Sequence, residues 1–355
     1  MKTIHCVVSI LLGLSSIANA QDSETNKENC SYDCCRPDGH APIGIMTDHV
    51  HPKGQWGFSY SFMNMNMLGN QSGTNAVSEQ QVLNNYTMAP DRMNMQMHMG
   101  MLMYGISNRL SAMLMLSYSH SDMSMIALPT AMSMPGMNSG SNAPMTVSNS
   151  ELSDSHLYCL YKLVEHERQR IIVAFGMSLP SGSITVNGPT LLGEGQRLSY
   201  PMQRGSGTCD LLPGITYTAQ RQDFSWGLET NAVIRPSLNS EGYALGNVYE
   251  GNAWFSWRFC RWMSTSLRVQ ECVQNRISGF SNSIYILGSN DPTANAGNSG
   301  GQTSTVFLGI NVYKFLQPLK GNRLLLEYGI PFYQNLNGIQ MPVQNTFAAG
   351  WQYNF

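Results

Sequence analysis

M-N-M-Q-M-H-M-G-M-L-M, residues 93–103, carries a methionine at every second position. A helix would scatter these side chains around its circumference, whereas a strand gathers them on one face. The same period recurs upstream at Met63, Met65 and Met67, and downstream at Met113, Met115, Met123 and Met125. Of the 24 methionines, 18 lie between positions 63 and 145, so the bias is regional. The stretch reads as a strand with a thioether face, flanked by two strands of the same habit.

The ends of the chain suggest where such strands lie. Lys2, the apolar run Val7 to Leu14 and the small-residue pattern Ala18-Asn19-Ala20 predict an export signal over residues 1–20, with Gln21 as the mature start. Cys6 leaves with the signal, and no cysteine sits just after the cut, so a lipoprotein is not implied. No later apolar run approaches the roughly 20 residues a spanning helix needs. Charged residues are only 12% and the net charge is −2, which implies no nucleic-acid partner. The final F-A-A-G-W-Q-Y-N-F places Phe347, Ala349, Trp351, Tyr353 and Phe355 on one strand face. That pattern resembles the closing strand of bacterial outer-membrane barrels. It predicts a Gram-negative outer-membrane location, lipid as the surrounding partner, and recognition by the barrel-assembly machinery through the strand ending at Phe355.

Between the ends, residues 21–54 read as an irregular periplasmic segment and 55–355 as the barrel. Trp56, Phe58, Tyr60 and Phe62 alternate with small or polar residues, and alternation of this kind recurs about twelve times. The links run long, short, long, short, as expected of long external loops and short periplasmic turns. The expected fold is therefore all-β, an antiparallel transmembrane barrel of about 12 strands. A soluble β-sandwich is the rival. It would not so regularly set an apolar face against one carrying Glu229, Arg235, Glu250, Arg258, Arg268 and Glu327, which in a barrel line the pore.

The stretches H-A-P-I-G-I-M-T-D-H-V-H-P-K-G-Q-W-G-F-S-Y (40–60), S-L-P-S-G-S-I (178–184) and Y-P-M-Q-R-G-S-G-T-C-D-L-L-P-G-I-T-Y (200–217) resemble outer-membrane barrels of a transporter-like family. That family is related to the proposed transporters of the phenol-degradation meta-pathway. The likeness runs from about residue 40 to the end. It implies a channel or transporter fold and location, and says little about cargo.

Two sets of donors carry candidate chemistry. Thioether sulfur suits soft ions such as Cu(I) or Ag(I). Met63, Met65, Met67, Met93, Met95, Met97, Met99, Met113 and Met115, with His98 nearby, form one candidate metal set; an apolar lining is the plain alternative. Asn94, Gln96 and His98 oppose the methionines of the central strand, so apolar-out logic sends that stripe to lipid, whereas its two neighbours say the reverse. The second set is Cys30, Cys34, Cys35, His49 and His51, with His40 and Asp48 beside them. The C-x3-C-C spacing matches no zinc template, and exported cysteines more often form disulfides. An ordered periplasmic plug or strand-entry segment is the plain reading of this segment. No nucleophile elbow, phosphate loop or paired-acid motif accompanies these residues, so no enzyme is expected. The expected function is a channel handling soft metal ions, with copper ion as the candidate ligand. Uptake of small apolar or aromatic compounds is the alternative, and a closed structural or adhesion barrel the second.

Overall fold

The computed structural model describes residues 36–128, 143–190, 193–285, 290–313 and 321–354. The signal segment, Cys30, Cys34, Cys35 and Phe355 lie outside them. Twelve long strands form the wall: β1 Trp56–Leu68, β2 Met88–Ser107, β3 Leu110–Ala127, β4 Ser155–His166, β5 Gln169–Leu179, β6 Asp210–Arg221, β7 Phe224–Val233, β8 Val248–Cys260, β9 Met263–Gln274, β10 Gly301–Tyr313, β11 Asn322–Gln340 and β12 Val343–Asn354. Each pairs antiparallel with its sequence neighbour, and β1 pairs with β12 from Gly57↔Asn354 to Met67↔Val343, which closes the ring. Closure leaves no free edge, the condition for crossing a bilayer with strands. Among the described residues no helix is long and apolar enough to cross.

The wall sorts by parity. Trp56, Phe58 and Tyr60 on β1, Leu157 and Tyr161 on β4, Phe255 and Trp257 on β8, and Leu308 and Ile310 on β10 are all exposed on the outside. The intervening residues turn into the lumen and are small, polar or buried. At one end the links are tight. Glu167 and Gln222 take the left-handed conformation (φ 50° and 42°) in the two-residue turns joining β4 to β5 and β6 to β7, as such hairpins require. At the other end the strands outrun the bilayer. β2 has 20 residues and β3 has 18, against the roughly 9–11 that span. A further strand, Ala143–Leu152, pairs with the outer half of β3.

That excess length settles the facing of Met93–Met103. Met93 and Met103 are only 2% and 3% exposed, while Leu102 and Tyr104 of the opposite parity are 38% and 37% exposed. The methionine stripe points inward, against the apolar-out expectation for this strand. Asn94, Gln96 and His98 do face out, but from the part of β2 that extends past the aromatic rows Trp56–Tyr104 and Phe58–Leu102. Asn94 there donates to Asn64 and Asn66 at 2.9 and 2.6 Å. Polar residues on that face satisfy one another beyond the apolar belt, so they carry no sign of the lumen.

The last external link also differs from expectation. β11 continues to Gln340 and turns back through Met341-Pro342, so a tall hairpin stands where a long irregular loop was expected. Its tip is held by Asn70–Gly73, which pairs with β11.

Candidate functional site

The lumen is filled from both ends. Residues 36–54, the described part of the segment expected to be periplasmic, run inside the barrel. Their base is tied to the turn end of β2: Gly54 N–H donates to the Gly105 carbonyl at 2.8 Å and Gly105 N–H to Gln55 at 2.9 Å. A Cβ at Gly105 would overlap the Pro52 carbonyl, so only glycine permits this approach. Higher up, His51 N–H donates to Ser111 Oγ at 2.9 Å. Thr47 Oγ1 donates to Glu229 at 2.8 Å and lies 2.9 Å from Thr216 Oγ1. Ala41 and Ile45 pack on Trp254, and Ile43 lies against Gly350. The segment is a plug stitched to the wall by hydrogen bonds and apolar contacts.

Lumen charges anticipated from parity hold this plug or brace the wall. Glu229 accepts from Thr47, and from Asn252 at 3.1 Å. Arg268 and Glu327 form a buried two-pronged pair at 2.9 and 2.7 Å. Arg268 also donates to Asn252 at 2.8 Å and lies over the Phe307 ring. Gly44 of the plug packs so closely on the Arg268 guanidinium that a Cβ there would collide with it. Arg235 pairs with Asp210 at 3.1 Å near the outer end. Arg258 departs from expectation. It pairs with Asp223 at 2.6 Å in the β6–β7 turn, so it belongs to the rim and not to a pore. Its parity is inward, but at a strand end the neighbouring turn offers the nearer carboxylate. Glu250 sits opposite Asn231 and Cys272 on the inner face.

External loops fold in over the outer mouth. Val186, Leu198 and Met202 pack into one buried cluster with Met88, Met93, Met123 and Met125, and Tyr200, Tyr243, Ile284 and Ala294 form another. Arg204 ties this cap to the wall, donating to Ser121 Oγ at 2.9 Å. The methionine stripe thus serves two partners. Its outer half packs on the loop cap, and its inner half, Met101, Met103 and Met113, packs with Val50 of the plug. Neither partner has a strand's regular surface, and unbranched thioether chains fill irregular gaps well. That accounts for methionine where branched aliphatics would otherwise stand.

Between the loop cap and the outer part of the wall lies a cavity of about 490 Å3. Met65, Met67, Met93, Met95 and Met341 line it with Leu336, Ile339 and amide side chains such as Gln203, Gln274 and Asn298. No Asp, Glu, Lys, Arg or His is among its described lining residues. Register places Met67 beside Met93 and Met123, and Met65 beside Met95. Met63 and Met97 form the next row inward, while Met99 and Met115 face the lumen nearer the plug. His98 is not brought to the thioethers. It lies on the outer face, with Nδ1 2.7 Å from the Tyr60 hydroxyl, because its parity is opposite to theirs. A second cavity, about 550 Å3, opens on the turn side and is lined by His40, His49, His51, Arg170 and Arg323. Burial holds the His51 imidazole down to about 3.

No family model matches the chain, and no curated protein matches it in sequence. Solved structures do. The COG4313 outer membrane channel from Pseudomonas putida F1 superposes with a TM-score of 0.53 at 11% identity, covering 94% of this chain and 100% of the other. Weaker likenesses are the TodX deltaS2S3 mutant monoaromatic hydrocarbon channel (TM-score 0.41, 8% identity, 86% and 91% covered) and the KdgM porin (0.38, 10%, 84% and 99%). In fold, the chain is a closed twelve-stranded antiparallel β-barrel of the outer-membrane channel type.

Proposed function

We propose that the protein is an outer-membrane channel for small, uncharged, largely apolar or aromatic compounds. Such compounds would enter the thioether- and amide-lined vestibule and pass on when the plug gives way. The observation that carries this reading is the uncharged vestibule. A site with apolar walls and a few amides suits a neutral solute with one or two polar groups, and offers no charged group to an ion. The outward apolar belt supports outer-membrane lipid as its surroundings, and β12 would be the segment offered to the assembly machinery. Expression in cells with a porin-depleted outer membrane should raise uptake of benzyl alcohol several-fold while leaving benzoate unchanged. Equal gains for both, or none for either, would contradict it.

A second reading rests on Met65, Met67, Met93 and Met95 sharing that vestibule. Four thioethers suit Cu(I) or Ag(I). Replacing all four by leucine separates the two, because leucine keeps the apolar volume and removes the sulfur.

A further inference from the structure

The geometry points to a transition-metal site on the plug, formed by His40, Asp48 and His49, that takes an imidazole-preferring divalent ion such as Cu(II) or Zn(II). It lies well away from the thioether vestibule and does not depend on what the channel carries. Candidate ligand atoms of the three residues all fall within 4.8 Å of one another, and all three residues are buried. The loop between them is built to converge. Ile45 N–H donates to the Pro42 carbonyl at 2.9 Å, turning the chain, and Ala41 N–H donates to Asp48 Oδ2 at 2.9 Å, closing it. His40 and His49 are thereby brought to 4.3 Å between ring centroids.

The independent sign of a ligand is His40. Its Nδ1 is buried and makes no hydrogen bond. It lies 3.3 Å from Asp48 Oδ2 without the alignment to bond it. A buried ring nitrogen without a partner costs free energy unless something completes it. Zinc–nitrogen bonds of about 2.0–2.1 Å put tetrahedral ligands roughly 3.3 Å apart, so the His40–Asp48 spacing already matches. His49 Nδ1, now 2.6 Å from Asp48 Oδ1, would exchange its shared proton for the ion. Metal binding releases such protons.

The surroundings choose the class of ion. Arg170 stands 3.6 Å from Asp48 Oδ2, and Arg323 lines the same cavity. With one carboxylate and guanidinium groups close by, a hard cation such as Ca2+ or Mg2+ finds too few oxygen donors. An ion that binds neutral imidazole tightly can still be held, which favours copper and zinc. His51 is beside the trio, 5.2 Å from His49 by ring centroids, but is not part of it.

The test is metal binding to the refolded full chain in detergent, with folding checked by the shifted gel mobility of an unheated barrel. Cu2+ should bind with one equivalent per chain, give an electron paramagnetic resonance spectrum with two coupled nitrogens, and displace Zn2+ bound beforehand, while Ca2+ should neither bind there nor compete. His40→Gln and His49→Gln should each weaken binding by about 100-fold. His51→Gln, and the C30S/C34S/C35S variant, should stay within a few-fold of the parent. A folded wild-type protein lacking the two-nitrogen signal would overturn the assignment, even if the variants fail to fold. Unaltered binding in the folded H40Q/H49Q variant would overturn it as well. Neither outcome bears on solute uptake.

Discussion

At the scale of single residues, the account rests on close fits between plug and wall. Gly105 lets the Pro52 carbonyl approach β2, and any side chain there must push the plug base away. Gly105→Val is therefore expected to open the turn-side end, and ion conductance across a planar bilayer should rise above that of the parent. The buried Arg268–Glu327 pair is the other sensitive point. Glu327→Gln leaves a buried guanidinium without its carboxylate, and removing one member of a buried pair costs about 3–5 kcal/mol. A lower urea midpoint for the refolded barrel is the expected result, while Arg258→Ala, at the exposed rim, should leave the midpoint nearly unchanged. The sequence put Arg258 and Arg268 on one inward face. Parity could not show that one is captured by a turn carboxylate and the other by a facing strand.

At the scale of elements, the methionine strand is the instructive case. Its period, with the same period in the stretches on either side, made it a strand, yet its face could not be read from the opposing residues. Asn94, Gln96 and His98 mark the part of β2 that has left the bilayer, where outward residues are free to be polar. Length decides this, and length is not visible in an alternating pattern that runs on through both environments. The plug was legible as an irregular segment and a candidate plug, but its fit to the wall was not. Its fit depends on partners such as Glu229, 182 positions away from Thr47, and no local pattern reports them. The stripe's own role yields a prediction. With Met65, Met67, Met93 and Met95 all replaced by leucine, benzyl alcohol uptake should stay within about two-fold of the parent, since volume-conserving apolar swaps cost little. No benzyl alcohol uptake by the parent, together with silver uptake that the folded leucine variant loses, would favour the thioether-metal reading.

At the scale of the whole molecule, twelve strands, tight turns at one end and long links at the other were all carried by alternation and turn residues. What fills the barrel was not. The wall repeats a two-residue rule, whereas cap and plug are single, aperiodic solutions to closing a tube. On the proposed reading the molecule is a barrel closed at rest by its own chain, with an uncharged vestibule beneath the loop cap. The most direct test of that picture is the potassium chloride conductance of the full chain in planar bilayers, compared with a chain lacking residues 36–51. The full chain should show little or no steady conductance, and the shortened barrel a stable open pore. A full chain that conducts as freely as the shortened one, or a folded shortened barrel that stays closed, would contradict it.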